Sequence, residues 1–169
     1  VVRPREELPR ALDALRGQRV RIDGEATPAW FSHWLREAGA ELSPGEDPCR
    51  LPRACKNATE RDGARAAHRR DAAAMARFLC WFAAEAPKGG LTEMSAAAQL
   101  LAFRREVALF RGESFPAISG AGEHGAIVHY RVTPETNRRI APDEVYLIDS
   151  GGQFLDGTTD ITRTLWTGP

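Results

Sequence analysis

Cysteine is scarce in this chain, and what there is does not pair. The three residues Cys49, Cys55 and Cys80 cannot form a complete disulfide set, and none lies in a Cys-x-x-Cys spacing of the kind a structural zinc site uses. They read as reduced thiols. Charge of one sign is also lacking: Lys plus Arg and Asp plus Glu each number 23 in 169 residues, so no broad basic field is available to hold nucleic acid or an anionic membrane. Long hydrophobic runs are missing too. The most apolar stretch, residues 72–86, is interrupted by Arg77 and is too short to cross a bilayer, and Val1-Val2-Arg3-Pro4 opens without the apolar core of a signal peptide. These absences set the expectation of a soluble, cytoplasmic protein whose partners include neither nucleic acid nor membrane.

What is present changes character along the chain. Residues 5–16 read as a short helix with Leu8, Ala11, Leu12 and Leu15 on one face, stopped by Gly17, and residues 19–22 alternate like a strand. A second short helix runs from Pro28 through Trp30, Phe31, Trp34 and Leu35 to Gly39. The turn formers of Ser43-Pro44-Gly45-Glu46-Asp47-Pro48 mark a linker, which gives a first domain over 1–45, a linker over 46–55 and a second domain over 56–169. In that second domain the pattern predicts a long helix over 59–86, capped by Asn57 or Thr59 and striped with Ala67, Ala74, Met75, Phe78, Leu79 and Phe82. Another helix, capped by Thr92, is expected to reach about Leu109. Strands are then expected over 115–119, 126–130 and 145–149, with a final pair around Phe154 and Ile161. Helices followed by strands make this an α+β arrangement rather than a Rossmann repeat.

The chemistry concentrates at the end. Val145-Tyr146-Leu147-Ile148 is apolar throughout, as a strand buried on both faces would be, and Asp149 emerges from it with a charge that needs a partner. Eleven positions later stands Asp160. A hairpin turning at Asp156-Gly157 would set Asp149 opposite Thr164 and leave Asp160 about 13 Å along the strand, too far for a metal pair about 3.5–4 Å apart. A bulge at Gly151-Gly152 or a wider turn would instead set the two acids directly opposite, with β-carbons about 5 Å apart. Both registers keep the acids on one face. Asp156 reads as a turn residue, and Thr162 and Thr164 read as strand formers, with hydrogen-bond donation behind the acids as the alternative. His129, following Ala126-Ile127-Val128, reads by itself as a core histidine.

Three blocks carry a resemblance: Phe115-Pro116-Ala117-Ile118-Ser119-Gly120, Gly125-Ala126-Ile127-Val128-His129-Tyr130, and Tyr146-Leu147-Ile148-Asp149-Ser150-Gly151 with Asp156-Gly157-Thr158-Thr159-Asp160-Ile161-Thr162-Arg163-Thr164. In order and wording they resemble aminopeptidase P, the Xaa-Pro aminopeptidases of the creatinase-like "pita-bread" metallopeptidases. Lys56-Asn57-Ala58-Thr59-Glu60 and Arg65-Ala66-Ala67-His68 resemble the entry to that catalytic domain. The resemblance implies the first half of a pita-bread domain preceded by the end of an α/β N-terminal domain. It also implies two divalent metal ions, manganese with zinc or cobalt as alternatives, held by two aspartates, a histidine and two glutamates. Asp149 and Asp160 match the aspartates; His129 matches a histidine that stands beside the substrate rather than on the metal. The implied substrates are peptides with proline at the second position, and the implied assembly is a homodimer.

The remaining ligands of that set have no counterpart here, because His33, His68 and His124 fall in other contexts. The polypeptide therefore reads as a fragment, expected to be inactive alone and to leave apolar residues such as Leu165 and Trp166 uncovered. A proline dipeptidase or another creatinase-like hydrolase is the neighbouring alternative, and a non-catalytic peptide-binding module of the same fold is the alternative from another class. The presence of both Asp149 and Asp160 argues against the latter.

Overall fold

The computed structural model describes residues 2–168 and divides into two compact units, with the boundary between Lys56 and Asn57. In the first unit a 3₁₀ turn, Arg5–Glu7, leads into α1 (Leu8–Asp13). Gly17, at φ 74°, then turns the chain into β1 (Arg19–Ile22). The helix α2 (Ala29–Glu37) and strand β2 (Glu41–Pro44) follow, and β2 lies parallel to β1 with Arg19 opposite Glu41 and Ile22 opposite Pro44. Ser43 and Pro44, the first of the turn formers that lead into the expected linker, thus end a strand. A proline is tolerated at such a strand end because it needs to donate no further ladder bond. A five-residue helix, α3 (Arg50–Ala54), lies within the expected linker.

The second unit begins with α4 (Ala58–Glu85), whose cap is reciprocal: Asn57 accepts from the Glu60 amide at 2.9 Å, and Glu60 accepts from the Asn57 amide at 2.8 Å. Its alanine-rich interior favours helix, and Pro87 and the left-handed Gly89 (φ 71°) end it. Thr92 and Ser95 form the same reciprocal cap on α5 (Glu93–Arg105). This helix stops earlier than the sequence predicts. The chain passes through Leu109 with φ 67° into an unpredicted strand, β3 (Phe110–Glu113).

Next come β4 (Ile118–Ala121), β5 (Val145–Ser150), β6 (Gly152–Phe154), β7 (Gly157–Thr158) and β8 (Ile161–Trp166). They form two three-stranded antiparallel sheets, ordered β4-β5-β8 and β3-β6-β7. One face of the first sheet carries Ala121, Tyr146 and Ile148 into a core with Met75, Phe78, Phe82, Ala96 and Leu100 of the two helices. The rings of Phe82 and Tyr146 stack there with centroids 4.8 Å apart. Leu165 packs against this core, whereas Trp166, pointing to the opposite face, is 57% exposed. The expectation that both would be uncovered holds only for Trp166, because adjacent strand residues face opposite ways.

The strand expected over 126–130 does not form. Gly122–Ala126 is a 3₁₀ helix, and Ile127 and Val128 are exposed. With no neighbouring strand to pair with, the β-branched residues of that stretch gain nothing from an extended conformation. No helix among the described residues is long and apolar enough to cross a membrane.

Candidate functional site: two aspartates at a pinched hairpin

Strands β5 to β8 are a single long hairpin whose partners differ from both registers considered above. Asp149 lies opposite Thr162, and the tip closes with Phe154 opposite Gly157, so Leu155 and Asp156 are the turn residues. Gly157 is a glycine for a different reason: a β-carbon there would meet Ala64 and Ala67 of α4 at 3.0–3.1 Å. Asp156 pairs with Arg70 of α4. The helix thereby moves the turn by one residue relative to the Asp-Gly signal. Asp160, two residues before Thr162, becomes the diagonal neighbour of Asp149 on the same face, with α-carbons about 7–8 Å apart and side chains that reach across.

The carboxyls do reach. The Asp160 pKa is raised from its ordinary value, first because the fold removes part of its water, then because Asp149 offers a like charge and a carboxyl hydrogen bond; His68 on α4 acts in the opposite sense. His68 itself ties Nδ1 to the Ala64 carbonyl at 2.9 Å. The Thr162 hydroxyl donates to Asp149 Oδ1 at 2.7 Å, so Thr162 orients an acid and is more than a strand former. A pair of converging carboxylates that repel one another is a fitting half of a cation site, since a cation relieves the repulsion with hard oxygen ligands. Among the described residues no group of three or more His, Cys, Asp or Glu side chains is placed to hold a metal, so the two aspartates are a partial ligand set.

Behind the acids the hairpin is pinched. The Thr159 amide donates to the Gly152 carbonyl at 2.9 Å, and the Gly152 amide donates to Thr159 Oγ1 at 2.8 Å. Ser114 Oγ donates to the Thr159 carbonyl at 2.9 Å. A β-carbon on Gly151 would overlap the Thr159 carbonyl and Ser114 Oγ, so only glycine allows the strands this close. Thr159 Oγ1 in turn donates to Asp71 Oδ2 at 2.6 Å, and Asp71 is held by Arg104 through Nε at 2.7 Å and Nη2 at 3.1 Å. Asp71, Arg104 and Thr159 are all buried. Sequence reasoning missed all three. The available signal was Asp71 itself, a charge sitting in the apolar stripe of α4 between Ala67 and Ala74.

His129 is exposed, not a core residue, and takes the left-handed conformation with φ 56°. A non-glycine residue there costs about 1–2 kcal/mol, so the surroundings must hold it. Glu93, fully buried at the start of α5, supplies that hold: Oε1 accepts from the Ala121 amide and His124 Nδ1, both at 2.8 Å, and Oε2 accepts from the Tyr130 hydroxyl and the Arg138 amide, both at 3.2 Å. Burial raises the Tyr130 pKa above its ordinary value, and the neutral hydroxyl donates to Glu93. The loop bearing His129 is therefore pinned on both sides of that residue.

The profile of metallopeptidase family M24 matches residues 62–169. The chain belongs to metallopeptidase family M24. Within that family it is 51% identical over 113 residues to the probable Xaa-Pro aminopeptidase P of Laccaria bicolor, covering 66% of this chain and 18% of that protein. It is 46% identical over 121 residues to human Xaa-Pro aminopeptidase 2, covering 72% of this chain and 18% of the relative. This M24 chain thus spans about a fifth of the length of such relatives.

Among solved structures, the X-prolyl aminopeptidase of Caenorhabditis elegans, described as a cytosolic enzyme with a di-nuclear active site, superposes with a TM-score of 0.66 at 27% identity, covering 88% of this chain and 32% of its own. The Xaa-Pro dipeptidase of Bacillus anthracis superposes with a TM-score of 0.76 at 21% identity, covering 94% and 44%, and shows the shared pita-bread fold.

Proposed function

We propose that the complete polypeptide is a metal-dependent Xaa-Pro aminopeptidase that hydrolyses the N-terminal peptide bond preceding proline, with Asp149 and Asp160 among the ligands of two divalent ions, manganese foremost. The observation that carries this is the convergence of the two carboxyls on one face, close enough for Asp149 to raise the pKa of Asp160. The 51% and 46% identities to proteins named Xaa-Pro aminopeptidase support the substrate class. When bound, a pair of such ions supplies a solvent nucleophile at neutral pH and polarises the peptide carbonyl.

The chain's own residues do the rest. Thr162 donates a hydrogen bond that orients Asp149, and Gly151 lets the Thr159 carbonyl, next to Asp160, come close. His129 is assigned to hydrogen-bond the peptide at the scissile bond or its developing oxyanion. Residues 1–45 are assigned to the end of an α/β domain and 56–169 to the first half of the catalytic domain. A homodimer in the cytoplasm is the expected setting, in keeping with the cytosolic C. elegans neighbour.

The test uses the complete protein loaded with manganese, assayed on a tripeptide Xaa-Pro-Xaa and on the dipeptide Xaa-Pro. Turnover of the tripeptide, lost about 1,000-fold or more with both ions' occupancy in Asp149→Asn and Asp160→Asn, supports the reading. Turnover of the dipeptide alone makes it a proline dipeptidase instead, and binding of peptide without turnover makes it a binding module.

A further inference from the structure

Resting on the reading of Asp149 and Asp160 as metal ligands, we propose that the buried Asp71–Arg104 pair is the positioning element of the metal centre, acting on the two ligands through Thr159 and the Ser150 carbonyl. The geometry is direct. Thr159 immediately precedes Asp160, and its hydroxyl donates to Asp71 at 2.6 Å. Ser150 immediately follows Asp149, and its carbonyl accepts from Arg104 Nη2 at 3.4 Å. One ion pair, bridging α4 and α5, therefore holds the residue beside each ligand, Thr159 by its side chain and Ser150 by its backbone.

The cost of this arrangement points to its use. Asp71 is completely buried and Arg104 is 1% exposed, and apolar side chains of similar volume in place of such a buried pair are often as stable or more so. What apolar side chains cannot supply is a fixed direction. The bidentate contact locks the guanidinium plane, and the remaining Asp71 lone pair then fixes where the Thr159 hydroxyl points. That hydroxyl also accepts the Gly152 amide, so the pair sets the distance between the two strands where they carry the acids. A dinuclear site needs its ligands placed to within a fraction of an ångström, and partners behind the ligands supply such placement. Ser114 also spans the two strands, its amide donating to the Gly151 carbonyl at 3.1 Å and its hydroxyl to the Thr159 carbonyl at 2.9 Å, but the ion pair reaches Ser150, directly beside Asp149.

The experiment compares the complete protein with Thr159→Val, Thr159→Ser and, as a core control matched in thermal destabilisation, Phe78→Leu. The readouts are the dissociation constants of manganese by titration calorimetry, the visible spectrum of the cobalt-substituted protein, and kcat and KM separately. Thr159→Val is expected to weaken metal binding about 10- to 100-fold and to shift the cobalt spectrum, while Thr159→Ser stays within about threefold of the parent. The activity lost should fall in kcat. The control should lose thermal stability with metal affinity unchanged. Thr159→Ala replaces the valine variant if a methyl facing the Asp71 carboxylate prevents folding. Parent-like metal affinity in Thr159→Val, with Asp149→Asn unable to bind, overturns this proposal and leaves the metal site standing. Parent-like metal binding in Asp149→Asn removes the site itself and this proposal with it.

Discussion

Asp160 is the residue whose titration reports the site. Its raised pKa comes from lost water and from Asp149, so in the metal-stripped complete protein Asp149→Asn should move the Asp160 midpoint back toward the usual carboxylate range, read by carbon-13 NMR. The folded chain holds this proton more tightly than the unfolded one. The group therefore adds stability as pH falls through its raised midpoint and withdraws it as pH rises above, and that slope should shrink in the variant. An unchanged midpoint would mean that the carboxyls do not sense one another. Thr162→Val, which deletes the 2.7 Å bond to Asp149 Oδ1 but keeps the shape and strand propensity, should lower manganese affinity about tenfold with unfolding temperature nearly unchanged. Equal affinity would return Thr162 to the strand-forming role its sequence context assigns.

At the scale of elements, α4 decides where the hairpin turns. Gly63 lies against the Asp156 carbonyl, and a β-carbon there would overlap that oxygen. Gly→Ala within a helix ordinarily gains about 1 kcal/mol. Gly63→Ala should instead cost about 1–3 kcal/mol by pushing α4 off the turn, measured by denaturant unfolding. A gain in stability would show that helix and turn do not meet.

The same contact explains what the sequence could and could not say. Both long helices were legible, because their caps and apolar stripes are local features, and so was the presence of two acids on one face, because alternation along a strand is local too. The register was not. It depends on Ala64 and Ala67 touching Gly157 and on Arg70 meeting Asp156, contacts across nearly the whole second unit. The stretch 126–130 misled for the opposite reason, since its apolar composition has strand character but no strand lies beside it. Asp71, Arg104 and Glu93 were invisible as a group, because each finds its partners far along the chain.

For the molecule as a whole, the asymmetry of the β4-β5-β8 sheet matters most. One face is filled by α4 and α5, and the other carries Asp149, Thr162, Thr164 and the exposed Trp166. The acids thus stand on the face that these helices do not cover, where the rest of a longer polypeptide is proposed to complete the ligand set. Anomalous scattering at the manganese edge, from crystals of the complete protein grown with manganese, tests this most directly. Two peaks should appear with carboxyl oxygens of Asp149 and Asp160 about 2 Å away. Manganese bound elsewhere, with both carboxyls free of it, would contradict the account.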